Sequence, residues 1–315
     1  MYLGIDTSNY TTSVAIYGDG IEINSKKLLP VKEGEIGLRQ SDAVFHHVRQ
    51  LTEVFDKAVS ELSEGTSLRD LSAIGVSITP RTTEGSYMPC FLVGRMLAEN
   101  LAKTLNVPCY MFSHQQGHIA AALYSAGRLD LLDQKFLAYH LSGGTSEGLL
   151  VEPNDAGIPD AKLVCTSLDL KAGQAIDRIG VKLGFPFPAG RFIDEAAQNV
   201  DFKEKLRPSM KGADFNLSGL QNKCEALISA CKSKEYISRF CLEYVIATIS
   251  ASAKALKETY GDLPLLFSGG VSSNSLLRDR MQKQFGAIFA KPAFSADNAF
   301  GVAVLAKRAD ENKHE

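Results

Sequence analysis

The chain lacks the features that identify several large protein classes. Its 315 residues carry 34 basic and 36 acidic side chains, a formal charge of −2 at pH 7. No global positive field therefore favours nucleic acid, and such a partner would need a local basic patch or a helper subunit. No apolar stretch is long enough to span a membrane, and the start, Met1 to Asp6, lacks a signal-peptide pattern. We expect a cytoplasmic protein with no membrane partner.

Disulfides and the common nucleotide-binding loops are also not indicated. The six cysteines contain no Cys-x-x-Cys pair, which predicts reduced, partly buried thiols. The chain has neither a Walker A loop nor a G-x-G-x-x-G motif. Three short glycine turns are present instead, Ser142-Gly143-Gly144-Thr145, Pro188-Ala189-Gly190 and Ser268 to Asn274. Because glycine lets backbone amides approach a ligand, these turns predict a phosphate-binding cleft.

Two histidines lie four residues apart, His114 and His118. Residues at this spacing share one face of a helix, so the two imidazoles are able to hold one metal ion, although such a pair also arises by chance. Ser113 and Gln116 have the spacing of a capping box, which predicts that a helix begins here after an apolar strand at 107–112. Gln115 cannot be the general base of a zinc protease, so a peptidase is disfavoured. Further ligands must come from elsewhere in the chain.

Two aspartates are additional candidates. Asp177 lies in a predicted helix, where it accepts hydrogen bonds from a ribose or forms a surface ion pair with Lys182 or Arg178. Asp297 precedes a predicted helix at 299–307, and helix capping is the commoner role for an aspartate in that place. The sequence around each aspartate leaves both alternatives open.

The chain repeats its opening pattern. Apolar, polar and apolar segments at 2–5, 6–12 and 13–17 indicate a hairpin, and the pattern recurs at 136–141, 142–146 and 147–151. Each half also has a later apolar strand, at 74–78 and 265–267. The repetition predicts a duplicated α/β fold. We expect an N-terminal lobe at 1–125, a C-terminal lobe at 126–296, and a C-terminal helix and tail at 297–315. The turns that begin at Asp6, Ser142 and Ser268 are expected to face a central cleft.

Seven short motifs, in order over nearly the whole chain, resemble those of the tRNA N6-adenosine threonylcarbamoyltransferase family. This family is also called TsaD and was formerly labelled O-sialoglycoprotein endopeptidase. The motifs are Gly4-Ile5-Asp6-Thr7-Ser8, His114 to His118, Ser142 to Thr145, Gly173 to Asp177, Phe215 to Leu220, Gly269 to Asn274, and Asp297-Asn298. The resemblance implies an α/β fold of the actin/hexokinase (ASKHA) type, with two duplicated lobes and a central ligand cleft.

The resemblance also implies a site and an activity. The implied metal ligands are His114, His118 and Asp297; the implied ligand contacts are Gly143, Gly144, Asp177, Gly190 and Asn274; the catalytic candidates are Asp6 and Ser142. The metal would be iron or zinc, and the second ligand an adenylate or ATP-like molecule. The implied activity is metal-dependent transfer of threonylcarbamoyl from threonylcarbamoyl-adenylate to N6 of adenosine 37 in tRNA. The implied partners are tRNA, a TsaB-like subunit and a TsaE-like ATPase.

The chain departs from the family pattern near the implied ligand. Asn9-Tyr10-Thr11-Thr12 replaces a segment with an acidic pair, and Thr145 stands where bacterial members have histidine. The segment 79–85 replaces a Gly-Pro-Gly turn, and Pro188-Ala189-Gly190-Arg191 replaces Pro-Gly-Gly-Pro. These changes predict a divergent paralogue. His140 stands where archaeal relatives have a metal-contacting tyrosine, so it is either an additional metal ligand or an inward histidine satisfied by hydrogen bonds.

Two other functions stay open. An ASKHA phosphotransferase or ATPase would bind ATP in the same cleft, but it needs a carboxylate base, and the missing acidic pair disfavours it. A non-catalytic partner subunit of the tRNA-modification complex is the second alternative. Relatives of that kind typically lose the histidine pair, which this chain retains.

Overall fold

The computed structural model of the chain describes residues 1–8, 10–30, 38–295 and 297–314. Asn9 of the polar segment, Ala296 at the expected lobe boundary and Glu315 at the tail therefore lie outside the described residues. The chain forms two compact units. Unit 1 comprises Met1–Gln134, Glu152–Ala161 and Ala293–Glu315, and unit 2 comprises Lys135–Val151 and Lys162–Pro292. These boundaries differ from the expected lobes, because residues 126–134, 152–161 and the C-terminal helix group with the N-terminal residues.

Unit 1 is built on a five-stranded mixed sheet. Its first elements are β1 (Tyr2–Ser8), β2 (Thr11–Gly18), β3 (Ile21–Leu28), α1 (Gln40–Ser60), β4 (Ala73–Thr79), α2 (Phe91–Leu105), β5 (Cys109–Ser113) and α3 (His114–Ser125). The strand order is β3-β2-β1-β4-β5. The strands β1, β2 and β3 pair antiparallel, whereas β4 pairs parallel with both β1 and β5.

The predicted hairpin is confirmed, but its strands are longer than expected. β1 continues to Ser8 and β2 begins at Thr11, so most of the polar segment 6–12 belongs to strands. Asp6 pairs with Ser13 in the register, and both side chains are buried. Buried polar groups in strands need hydrogen-bond partners, and Asp6 Oδ1 accepts one from the Ser8 amide at 2.8 Å. The hairpin therefore places buried polar side chains in the interior of unit 1.

Unit 2 repeats this topology. Its elements are β6 (Phe136–Leu141), β7 (Ser146–Pro153), β8 (Pro159–Thr166), α4 (Ala172–Lys182), α5 (Gly190–Ala197), β9 (Ser209–Lys211), β10 (Asp214–Asn216), α6 (Ser218–Ser229), α7 (Lys234–Tyr260), β11 (Leu265–Ser268), α8 (Ser275–Phe285) and β12 (Ile288–Phe289). The last residues of β7 and the first residues of β8 belong to segment 152–161, which groups with unit 1. The order β8-β7-β6-β11-β12 matches that of unit 1 strand for strand. As in unit 1, an antiparallel pair is extended by two parallel strands. The predicted duplicated α/β architecture is confirmed.

The last helix, α9 (Phe300–His314), belongs to unit 1, where it packs against β1, β4 and α3. Its buried residues include Val302, Ala303 and Leu305, which share an apolar cluster with Phe112 and Ala120. The segment just before α9 is thereby held beside the start of α3. No helix in the described ranges has both the length and the apolar character needed to cross a membrane.

Candidate metal centre and glycine-lined pocket

The two histidines stand at the beginning of α3, as the capping box predicts. Ser113 Oγ accepts a hydrogen bond from the Gln116 amide at 3.2 Å, and Gln116 Oε1 accepts one from the Ser113 amide at 2.7 Å. This reciprocal cap fixes the first turn of the helix. His114 and His118 consequently lie one turn apart on one face, each partly exposed.

Asp297 completes a group of three potential metal ligands with these histidines. One ligand atom from each residue lies within 4.8 Å of the others. His118 Nε2 is 2.9 Å from His114 Nε2 and 3.1 Å from Asp297 Oδ1, and His114 Nε2 is 3.5 Å from the same oxygen. Two imidazoles and one carboxylate form a donor set that suits zinc or iron(II) with open coordination positions.

Gly117 explains how Asp297 reaches the histidines. A Cβ at Gly301, in α9, would lie 1.9 Å from the Gly117 carbonyl oxygen, and a Cβ at Gly117 would lie 2.8 Å from a Val302 side-chain methyl. Both distances are too short for real side chains, so only glycine permits this crossing of α3 and α9. The glycine inside the histidine motif is required for helix packing, and this packing places Asp297 beside the histidines.

Asp6 lies behind the histidine pair. It is fully buried, and its Oδ2 is 2.8 Å from His114 Nδ1 and accepts a hydrogen bond from Ser77 Oγ at 2.5 Å. A carboxylate on one ring nitrogen turns the other towards a metal and increases its basicity. Asp6 is therefore held against the ring of His114 and is not exposed to solvent. Ser77 has no sequence motif to mark it, and sequence reasoning missed it.

Charge interactions in this group shift several pKa values. Burial disfavours charged His114, but the nearby Asp6 and Asp297 carboxylates outweigh burial and raise the pKa of His114 to about 10. Burial likewise opposes ionisation of both aspartates, yet the histidines lower the pKa of Asp297 and His114 lowers that of Asp6. Two negative carboxylates thus surround the imidazoles, an arrangement that attracts a cation.

The capping hydrogen bond at the start of α9 is made by the neighbour of Asp297. Asn298 Oδ1, not Asp297, accepts a hydrogen bond from the Phe300 amide at the start of α9, at 3.1 Å. Asp297 instead accepts one from Thr11 Oγ1 at 3.3 Å through the oxygen that does not face the histidines. Thr11 belongs to the segment that replaces the acidic pair of the family. Sequence reasoning recorded it only as a missing carboxylate and did not identify this contact.

A second buried imidazole belongs to the same unit. His47 is fully buried on α1, with its Nδ1 2.8 Å from Thr12 Oγ1, which also accepts a hydrogen bond from Gln50 Nε2 at 2.8 Å. Burial lowers the pKa of His47 to about 4. It is therefore neutral at pH 7. Two adjacent histidines in an amphipathic helix gave no signal by which the sequence could single out His47.

Unit 2 contains the glycine-lined pocket. Its volume is about 570 Å³, and its lining includes Gly143, Asp177, Gly190 and Asn274. Gly144 and Ser142 are not among the lining residues. Ser142 Oγ accepts a hydrogen bond from the Thr145 amide at 3.0 Å and so closes the turn that carries Gly143.

At three glycines of this pocket, neither the packing nor the backbone conformation excludes a side chain. No atom lies within 4 Å of a Cβ built at Gly143, Gly190 or Gly270, and none of the three has a positive φ. Neither packing nor backbone conformation requires them, so what they preserve is open space in the pocket. That space suits a ligand held by backbone amides.

Asp177 and Asn274 also take defined positions. Asp177 Oδ1 accepts a hydrogen bond from the Ala189 amide at 2.8 Å, which ties α4 to the turn before α5. The alternative partner Lys182 pairs with Glu225 instead. Asn274 caps α8 by accepting a hydrogen bond from the Leu277 amide at 2.9 Å.

His140 lies in unit 2, on β6. Its Nδ1 is 3.1 Å from Oγ of Ser268, which is its partner in the register with β11. Its service as a metal ligand stays a prediction.

Comparison with known proteins identifies the family. The family described as "tRNA N6-adenosine threonylcarbamoyltransferase" (TsaD) matches residues 24–304. The chain belongs to this family. The threonylcarbamoyltransferases of two strains of Thermus thermophilus are each 31% identical over 97% of this chain, and the matches cover 92% and 91% of those proteins. As a TsaD family member, the chain is a transferase of tRNA modification.

Solved structures share the fold at low identity. HypF from T. kodakarensis aligns with a TM-score of 0.62 and 12% identity, over 99% of this chain and 47% of HypF. HypF in a phosphate- and nucleotide-bound form aligns with 0.57 and 13%, over 99% and 55%. The activator of 2-hydroxyisocaproyl-CoA dehydratase from Clostridium difficile, with bound ADPNP, aligns with 0.52 and 12%, over 99% and 96%. These similarities confirm the predicted ASKHA fold.

Proposed function

We propose that this TsaD family member transfers a threonylcarbamoyl group from threonylcarbamoyl-adenylate to N6 of adenosine 37 in tRNAs that read codons starting with A. The observation that carries the proposal is the convergence of His114, His118 and Asp297 within 4.8 Å in a chain of this family. In the reaction the N6 amine bonds to the carbamoyl carbon and loses one proton to solvent, the bond from that carbon to the phosphate oxygen breaks, and AMP leaves with the electron pair.

The donor set fits a divalent metal. Two ring nitrogens 2.9 Å apart repel one another unless a cation or proton lies between them, and Asp297 adds a negative charge beside both. A bound zinc or iron(II) ion would act as a Lewis acid on the carbamoyl oxygen. The ion would be held by His114, His118 and Asp297. Its remaining coordination positions need no fourth residue from unit 1.

Asp6 acts as a positioning residue under this proposal. It is fully buried, and its carboxylate bonds to the His114 ring rather than facing a ligand. Thr11 has a similar relation to Asp297. The same burial supports acyl transfer over the ATPase alternative, because Asp6 is not available as a general base for phosphoryl transfer.

The pocket of unit 2 is proposed to bind the adenylate. Gly143 and Gly190 supply backbone amides at positions where a side chain would fill the space. Ser142 holds the first of these turns through Thr145, so we assign it a positioning role as well. Asp177 and Asn274 lie at the pocket wall, where their remaining polar atoms can bind a ribose or a base.

A TsaB-like subunit and a TsaE-like ATPase are proposed partners. Two neighbouring helices of unit 1 expose large apolar side chains, Phe45 and Val48 on α1 and Leu92 and Met96 on α2. Each pair lies on one helix face at i, i+3 or i, i+4 spacing. Exposed apolar groups of this size support a protein partner. Replacing Leu92 and Met96 with glutamine should abolish co-purification with a TsaB-like subunit and leave the melting temperature unchanged.

Complementation tests the proposed activity. A strain depleted of its own TsaD, supplied with this chain and the cognate partners, should regain threonylcarbamoyladenosine in tRNA, read by mass spectrometry of nucleosides. His114→Ala should abolish the modification, whereas His46→Ala, which removes an imidazole of α1 outside the site, should not. Absence of the modified nucleoside despite good expression would contradict the proposal.

Metal analysis tests the ligand set independently of activity. Freshly purified protein should contain close to one zinc or iron per chain, and His118→Ala should lose it. His140→Ala should lower metal content if His140 is a ligand, as its place in the family pattern predicts. Unchanged occupancy would assign His140 to its hydrogen bond with Ser268.

A further inference from the structure

One surface of unit 2 carries charge opposite to that of the whole chain. Residues 201–234 contain seven basic and four acidic side chains, a formal charge of +3, whereas the chain as a whole carries −2. The basic residues are Lys203, Lys205, Arg207, Lys211, Lys223, Lys232 and Lys234. The segment lies between α5 and the beginning of α7, and none of it lines the glycine pocket.

The backbone pattern directs these cations outwards. From 205 to 211 exposed and partly buried residues alternate strictly: Lys205, Arg207 and Lys211 are exposed, while Leu206 and Met210 pack against the core of unit 2. In an extended chain, alternate residues point the same way at intervals of about 6.6 Å. The segment therefore presents a row of positive charges from a backbone that its apolar residues anchor.

The row borders a recess. Lys205 and Arg207 line a concavity of about 490 Å³ together with Lys223 of α6, and Leu227 and Phe240 form its apolar floor. Lys223 Nζ also lies 5.8 Å from the centre of the Tyr244 ring. Three cations therefore border a concave surface with an apolar floor.

The carboxylate of Glu204 also lines the recess, which leaves three cations against one anion. Asp201 pairs with Lys203 at 2.8 Å, Glu225 pairs with Lys182, and Glu204 accepts a hydrogen bond from the Tyr236 hydroxyl. Within the described part of the chain, Lys205, Arg207 and Lys223 form no ion pair with a carboxylate. Their charge therefore remains available to a ligand.

We propose that the recess of Lys205, Arg207 and Lys223 is a docking surface for the sugar-phosphate backbone of tRNA. This inference rests on the proposed function, which requires a tRNA substrate, and it supplies a local basic patch in a chain whose net charge is −2. Phosphate contacts from lysine and arginine give affinity and orientation without reading bases. The surface therefore binds tRNA irrespective of the anticodon sequence and leaves selection of adenosine 37 to the site of transfer.

The test measures tRNA binding directly. Fluorescently labelled, unmodified tRNA transcript is titrated with the full chain, and with its partners if these are needed for solubility, at several salt concentrations. The triple variant K205Q/R207Q/K223Q should bind at least tenfold more weakly near 100 mM salt. The slope of log K against log salt should flatten by about 2, since each phosphate contact contributes about 0.7 to 0.9.

A matched control removes the same charge elsewhere. Lys57, Arg69 and Lys103 are exposed cations of unit 1, and K57Q/R69Q/K103Q should bind tRNA like the wild type. Melting temperatures of both triple variants establish that the fold is intact. Equal affinity and equal salt slope for the two triple variants would overturn the proposal, as would a wild-type chain that binds no tRNA.

The remaining outcomes separate this inference from the proposed function. If the wild type forms no threonylcarbamoyladenosine but its tRNA affinity depends on the recess, the docking surface stands and the proposed reaction fails. If the recess variant modifies tRNA with an unchanged KM for tRNA, the reaction stands and the docking surface fails. Vesicles with anionic phospholipid are the counter-probe: recess-dependent binding to them without recess-dependent tRNA binding would show a lipid surface and overturn the RNA assignment.

Discussion

Nδ1 of His114 lies 2.8 Å from Oδ2 of the buried Asp6, and this contact directs the opposite ring nitrogen of His114 towards Asp297. The first strand of the chain thereby orients a side chain that lies 108 residues further on. The contact with His114 is sufficient to explain why the family motif has a carboxylate at Asp6. A direct role of this carboxylate in group transfer is not needed.

Replacing Asp6 with asparagine should weaken metal binding by about 10- to 100-fold, as loss of an outer carboxylate typically does. The measurement is calorimetric titration of the metal-free protein with zinc. Asp56→Asn, an exposed aspartate of α1, is the matched control and should leave the zinc affinity unchanged. Asp6→Glu should restore part of the affinity, and full affinity in Asp6→Asn would show that the contact does not position the ring.

Replacing Gly301 with alanine should separate α3 from α9, because the new Cβ would lie 1.9 Å from the Gly117 carbonyl oxygen. We expect loss of bound metal and a melting temperature several degrees lower, since overpacking typically costs about 1 to 3 kcal/mol. Gly219→Ala is the control: it is also a helical glycine, but its Cβ would meet no atom within 4 Å. Equal metal content in the two variants would show that the close crossing of α3 and α9 is not what places Asp297 beside the histidines.

Replacing Gly190 with valine should block the pocket of unit 2 without disturbing the fold, because nothing lies within 4 Å of a Cβ at this position. AMP, used as the probe, should bind at least tenfold more weakly to this variant, and the melting temperature should change little. Gly219→Val is the matched substitution outside the pocket. Undiminished AMP binding by Gly190→Val would show that the adenylate binds elsewhere.

The free energy of unfolding should depend on pH through His47. Its pKa is about 4 in the folded chain and 6.5 in its ordinary state, so the unfolded state binds the extra proton between these values. The contribution of neutral His47 to the free energy of unfolding is fully present above pH 6.5. It is lost as the pH falls to about 4, which lowers the free energy of unfolding by about 3 kcal/mol. Denaturant unfolding of the wild type and His47→Gln across this range should show the difference, with His46→Gln as the control for loss of one imidazole. Identical pH dependence of wild type and His47→Gln would contradict it.

Local patterns in the sequence predicted much of this structure. The capping box at Ser113 located the start of α3, and the repeated hairpin pattern predicted two sheets of the same topology. Both signals are short-range, so one sequence suffices to read them. The choice of Asp297 as a ligand came from family resemblance, because its local sequence favoured a cap, and the structure gives the cap to Asn298.

Other parts of the site could not be read from the sequence. Ser77 and Thr11 reach Asp6 and Asp297 across strands, and no local pattern records such contacts. The strand content of the polar segment 6–12 was missed for a related reason: its polar groups are stabilised by partners that only the fold brings near. The domain boundaries depend in the same way on the return of α9 to unit 1.

The packing of α9 against unit 1 also determines when the proposed metal centre can form. Asp297 follows His118 by 179 residues, and all of unit 2 lies between them along the chain. During synthesis the two histidines emerge from the ribosome long before Asp297, so the proposed three-residue site is incomplete until α9 has been made and has docked. A metal bound there would close a loop of 179 residues and act as a crosslink between the early and late parts of the chain. Metal loading would then report that α9 has been made and has docked against α3.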